Sequence, residues 1–177
     1  MPPSHVLAPV AASYGSAVHV TTHIHTDGPI PGPHSLLTLT SAAYGADGVP
    51  IGTFTANLRE LPGATLHPIA LENWRRRAED WLCTRRAVRP PGLATNAFAA
   101  WIRGLGDRTL FVTDPEGPDA LFCYWYLQRF AGRWPFAGTV PAHVTGTGDR
   151  RWEPPRCPLS GCRATVPGRS GIPALAG

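Results

Sequence analysis

The apolar residues of this chain change their period once, after Leu61-Pro62-Gly63, and that change restricts the fold more than composition does. Upstream, β-branched and apolar residues alternate with polar ones in three runs: Ala17 to Thr26, Ser35 to Ala43 and Val49 to Leu58. Successive side chains of a strand point to opposite faces, so this alternation marks strands with one buried face. The run Asp27-Gly28-Pro29-Ile30-Pro31-Gly32 stops the first strand, and Gly45-Ala46-Asp47-Gly48 supplies a hairpin turn between the second and third. Three antiparallel strands joined by short loops are the simplest arrangement.

Downstream the spacing becomes helical. Leu71, Trp74, Ala78, Trp81 and Leu82 recur at helical intervals from Pro68 to Arg86. Phe98, Trp101, Ile102 and Leu105 share one face of a second helix, Ala94 to Leu105, which Gly104 and Gly106 close. Thr109 to Thr113 is short and apolar, as a buried strand is. Pro118-Asp119 opens a third helix, Ala120 to Phe130, and Thr139 to Thr145 has the character of one more strand. The order βββ-α-α-β-α-(β) implies an α/β mixed sheet with flanking helices.

Composition bounds the rest. Hydrophobic residues at 43% and charged residues at 16% describe a folded domain. The 20 prolines crowd towards the ends. Residues 1–16 therefore read as a flexible leader, 17–145 as one domain, and 146–177 as an Arg/Pro/Gly-rich disordered tail. All 16 cationic side chains are arginine, the signature of a GC-rich coding bias, so the net charge of +4 permits a polyanionic partner without requiring one. Cys83 and Cys123 sit in helical patterns where a buried thiol is expected. Cys157 and Cys162 lack the second ligand pair of a structural zinc site. No run approaches the ~20 apolar residues of a membrane span, and no basic leader precedes an apolar stretch, so the expected location is cytoplasmic.

Three stretches carry a family resemblance: HIHTDGPIPGPHSLLTL at His23 to Leu39, LPGATLHPIALENW at Leu61 to Trp74, and LFVTDPEGPDALFCYWYLQRFAGRWPF at Leu110 to Phe136. They resemble a bacterial branch of the DEDD-type 3′–5′ exonucleases, in which the first stretch reads D-I-E-T-D-G-P-I-P-G. The resemblance covers residues 17 to 138. It implies a ribonuclease-H-like sheet of three antiparallel strands followed by parallel ones, with the C-terminal part here truncated or irregular. It also implies four carboxylates holding two divalent metals, Mg or Mn, which generate the attacking hydroxide and stabilise the leaving 3′ oxygen.

This chain departs from that pattern. His23 and His25 stand where the first Asp and Glu belong, and only Asp119 stands where the third carboxylate belongs. The last motif, an Asp with a His or Tyr on a late helix, is missing; His143 and Asp149 are the only candidates. Magnesium is a hard cation that imidazole serves poorly in place of two carboxylates. His23, His25 and Asp119 form instead a plausible three-ligand set for Zn or Mn, against the plain alternative of two histidines in a hydrated cleft with no metal at all. The resemblance places Thr26 beside the substrate's terminal nucleotide.

Other candidates have structural explanations. Asp27 before Gly-Pro is a turn former. Asp114 and Glu116 read as solvated loop acids. Tyr124, Trp125, Tyr126, Phe130 and Trp134 offer base stacking, but Phe122, Trp125 and Tyr126 recur at helical spacing, as core residues do, and core packing is expected for most of the set. The Arg75-Arg76-Arg77 and Arg85-Arg86 runs read as a solvated face, with phosphate contact the sharper alternative.

The leading expectation is a catalytically impaired exonuclease relative, a pseudoenzyme whose partner is single-stranded RNA or DNA. The alternatives are an active nuclease on His23, His25 and Asp119 with a transition metal, and a structural or interaction remnant. A homodimer follows by family analogy alone.

Overall fold

The computed structural model describes residues 17–114 and 116–145. Strands β1 (Val18–Thr26), β2 (Leu36–Tyr44) and β3 (Pro50–Asn57) form an antiparallel meander. Strands β4 (Thr109–Thr113) and β5 (Gly138–Pro141) extend it in parallel, giving the order β3-β2-β1-β4-β5. This mixed sheet with flanking helices is the ribonuclease-H-like architecture expected from the sequence. Leader 1–16, tail 146–177, Cys157, Cys162 and Asp149 lie outside the described residues.

Registry sorts the sheet into two faces, because residues opposite one another on paired strands share a face. Val20 pairs with Ala43 and Phe111, and Ile24 with Leu39, which pairs with Ala56. All of these belong to one apolar cluster with Phe98 and Ile102 of α3 (Pro91–Gly104) and Phe122 and Tyr126 of α4 (Asp119–Tyr126). The opposite face carries His23 beside Thr40 and Thr55, and His25 beside Thr38 and Asn57. Helices α1 (Pro68–Arg76) and α2 (Ala78–Thr84) pack at its His25 end, through Trp74.

The turns follow their sequence chemistry. In the β2–β3 hairpin, Gly48 takes φ 76° and Asp47 Oδ1 accepts from the Val49 N–H at 3.0 Å. Gly106, at φ 110°, follows α3 as expected.

Four expectations need correction. The helix expected from Pro68 to Arg86 is two helices, broken where Arg77 leaves helical geometry at φ −128°, ψ 49°. Leu71 and Leu82 are consequently exposed. The helix expected through Phe130 is α-helical only to Tyr126 and continues as a π turn over Leu127–Ala131, which Gly132 closes at φ 73°. The last strand ends at Pro141, and one 3-10 turn over Ala142–Val144 follows. Finally, Cys123 is the expected buried free thiol, whereas Cys83 is only half-buried.

Candidate functional site

The C-terminal end of β1 is where the candidate site lies. Ligands of open α/β sheets bind beyond such strand ends, where neighbouring connections part and leave a crevice. The β1–β4 pairing stops at Thr21 and Val112, so β1 runs on past its parallel neighbour. A cleft of about 590 Å3 opens there, within the range of small-molecule sites. Its floor is Ile24, His25 and Thr26; α1 contributes Ile69, Ala70, Asn73 and Trp74, preceded by His67 and followed by Arg77. The opposite wall is Glu116, Gly117, Pro118 and Leu121, and Gly28 and Pro29 complete the rim.

The loop after β1 is closed by Asp27. Its buried carboxylate accepts from the Ser35 N–H, and its own N–H donates to the Ser35 carbonyl at 3.1 Å. The His67 N–H donates to the Asp27 carbonyl at 2.8 Å, which ties the start of α1 to the loop. The His34 ring lies so close to Gly28 that any Cβ there would overlap it, and its Nδ1 is 2.8 Å from the Thr65 carbonyl. Asp27 is therefore structural, as its turn chemistry suggested, and burial raises its pKa.

His23 and His25 share a face, with ring centroids 5.0 Å apart. The His25 ring also meets Trp74 edge-on at 5.3 Å, and the Trp74 indole N–H donates to the Thr26 carbonyl at 3.1 Å. Burial lowers the pKa of both imidazoles, and the nearby Arg77 guanidinium lowers them further. For His25, burial, His23 and Arg77 together bring it down to about 4. Both rings are thus predominantly neutral near pH 7, with lone pairs available. Thr26 lines the cleft.

Asp119 begins α4. Burial and the charge of Asp114 raise its carboxyl to about 6, partly offset by the Ile24 backbone N–H. It therefore sits beside β1, past the end of the β4 pairing. The groups acting on Asp119 are Asp114 and Ile24, whereas those acting on the His25 charge are His23, Arg77 and Asp80. Among the described residues, no group of three His, Cys, Asp or Glu side chains is arranged to hold a metal ion. His23 and His25 are brought together, and Asp119 meets the backbone of Ile24, which lies between them in sequence.

The remaining candidates separate cleanly. Asp114 and Glu116 are exposed, and Asp114 Oδ1 accepts from the Glu116 N–H at 3.0 Å, as in a loop turn. Phe122 and Tyr126 are core, Trp125, Phe130 and Trp134 pack against it, and Tyr124 is exposed. The Leu36 N–H donates to the Tyr126 hydroxyl at 2.7 Å. Arg75 and Arg76 share Glu72, and Arg85 pairs with Glu60. Arg77 alone among these arginines lines the cleft, paired with Asp80 at 2.7 Å. Sequence reasoning missed the α1 wall, with His67, Asn73 and Trp74. The signal was the quoted stretch LPGATLHPIALENW, in which Trp74 passed for an ordinary helix-face residue.

The sequence matches no family profile and no curated protein. The fold is similar to that of E. coli exonuclease I in complex with a dA13 oligonucleotide, at TM-score 0.53 and 13% identity over 71% of this chain and 28% of that one. It is equally similar to the zinc-ion-bound exonuclease I–single-stranded DNA complex (TM-score 0.53, 13% identity, 72% and 28% covered) and to the exonuclease I/SSB-Ct complex (TM-score 0.53, 13% identity, 72% and 28% covered). The chain thus spans 28% of the length of these exonuclease I chains. At this identity the likeness is one of fold alone: a mixed sheet with flanking helices, of ribonuclease-H-like architecture, shared with part of exonuclease I.

Proposed function

We propose that this chain is an exonuclease-like domain that holds the end of a single-stranded nucleic acid in the β1 cleft and does not cut it by the two-metal route. The observation that carries this reading is the charge at positions 23 and 25. Two neutral imidazoles stand there, with the Arg77 cation beside them. A pair of hard dications needs oxyanions to offset their mutual repulsion, and each lost carboxylate removes a unit of that offset. The donors present do not fit two magnesium ions. The cleft itself, with Thr26 on its floor and apolar Ile24, Ile69 and Leu121 around it, suits a sugar and a base.

The pairing of His23 and His25 at 5.0 Å favours a second reading, in which one softer ion such as Zn or Mn sits on the two imidazoles with Asp119. One experiment separates the two. The purified chain is incubated with 3′-end-labelled single-stranded RNA or DNA and Mg, Mn or Zn in turn. Retarded migration without shortening is the expected result. Shortening in Mg would end the proposal. Shortening in Zn or Mn that is lost in His23→Ala would replace it with the second reading.

A further inference from the structure

The cleft is poorly equipped to attract a polyanion. Its one lining cation among the described residues, Arg77, is tied to Asp80 at 2.7 Å, and Glu116 faces the same space. Affinity for a phosphate backbone comes chiefly from cations that displace condensed counterions, so such cations must lie elsewhere if the chain binds a strand.

A cluster with that property stands at the end of β3. Arg59, Arg86 and Arg89 are exposed, and none has an acidic partner among the described residues. The backbone draws them together. The Arg59 N–H donates to the Arg89 carbonyl at 2.8 Å, and the Arg89 N–H to the Asn57 carbonyl at 2.9 Å. Asn57 Nδ2 donates to both the Cys83 and Arg86 carbonyls at 2.8 Å, while its Oδ1 accepts from Thr38 Oγ1 at 2.8 Å. Two carbonyls at the C-terminal end of α2, which would otherwise repel an anion, are thereby engaged. Between Arg86 and Arg89 lies Ala87, at φ 45° the single non-glycine residue with positive φ among the described residues. That conformation is unfavourable for alanine and persists only where surrounding structure enforces it. The backbones of the three arginines are thus held near one another, and the neighbouring carboxylate, Glu60, is engaged by Arg85.

The cluster is also in register with the cleft. His25 of the cleft floor pairs with Thr38, and Thr38 pairs with Asn57. Two strand spacings separate Asn57 from His25 by about 10 Å.

We propose that Arg59, Arg86 and Arg89 form a phosphate-binding patch for the strand whose 3′ end lies in the β1 cleft. This inference rests on the reading of the cleft given above, and its test distinguishes the two. Binding of a fluorescent 12-residue oligodeoxythymidylate and of the matching oligouridylate is titrated across about 50 to 200 mM salt. Each single-strand phosphate contact contributes about 0.7 to the slope of log affinity against log salt. The variant R59A/R86A/R89A should lose about 2 from that slope, an effect worth roughly 20-fold in affinity over this salt range. The lysine variant R59K/R86K/R89K should keep the slope. A charge-matched control, R103A/R129A/R133A, removes three exposed arginines elsewhere and should leave it nearly unchanged.

Binding by the native chain with an unchanged slope in R59A/R86A/R89A overturns the patch and leaves the cleft reading standing. Equal losses in the patch variant and the control also overturn it, since net charge alone would then be acting. No binding of either oligonucleotide overturns both readings. Binding confined to phosphatidylserine vesicles overturns the nucleic-acid assignment.

Discussion

The two faces of the sheet present opposite designs. On one, Val20, Leu39 and Phe111 meet Phe98, Phe122 and Tyr126, all nearly inaccessible to solvent, so that this face resembles the interior of any close-packed protein. On the other, the same strands present His23, His25, Thr38, Thr40, Thr55 and Asn57, over part of which α1 and α2 lie. The strands cannot serve one face without constraining the other, because a register slip of one residue would exchange them. The contrast teaches that the two roles meet within one strand: Ile24 packs in the core and also lines the cleft, while His23 and His25 on either side of it belong to the polar face.

The largest test of that separation is Phe98→Ala. Phe98 is wholly buried among Phe54, Trp101 and Phe136. Its truncation should cost about 3–5 kcal/mol, read as a fall in the urea midpoint. A loss under 1 kcal/mol would show that this face is not the stabilising one.

The next test uses acid, and its signs oppose. His25 titrates near 4 in the fold against 6.5 in the unfolded chain. As pH falls between those values, the unfolded chain takes up a proton that the fold resists, and stability declines. Asp119 titrates near 6 against 3.8, so its buried charge costs most above pH 6 and is relieved as pH falls towards 4. Each effect is at most on the order of 3 kcal/mol, less after solvent screening, and the windows nearly coincide. Native stability should therefore change little between pH 6 and 4 on their account, with His23 adding to the losing side. Asp119→Asn should expose the decline and His25→Gln the gain. Denaturant midpoints that move the same way in both variants would contradict this assignment.

The smallest effect belongs to Thr55→Ala on the exposed edge strand, where a change within about 0.5 kcal/mol is expected by thermal melting. A larger loss would reveal that the polar face contributes to stability after all.

Much of the sheet could be read from the residues alone, because alternation at period two is a strong local signal and each strand had a face to bury. The helices were less legible. The apolar spacing from Leu71 to Leu82 continues across the break at Arg77, so periodicity could not reveal that the chain changes direction there. The π turn after Tyr126 was equally hidden, since one extra residue per turn leaves composition unchanged. At the site, the family resemblance singled out His23, His25, Thr26 and Asp119, and the His-x-His spacing on a strand puts the two imidazoles on one face. The α1 wall was not: Trp74 has the pattern of a core residue, and only the fold puts its indole against Thr26 and the imidazole of His25. Arg59, Arg86 and Arg89 lie 30 positions apart at their extremes and meet only through Asn57 and the backbone.

None of the bonds that fasten the segment from Asp27 to Ser35 involves the side chain of position 23, 25 or 119. The pouch is held in shape by its own hem. Exchanging a carboxylate for an imidazole, or the reverse, can therefore alter which guest is welcomed without loosening that hem.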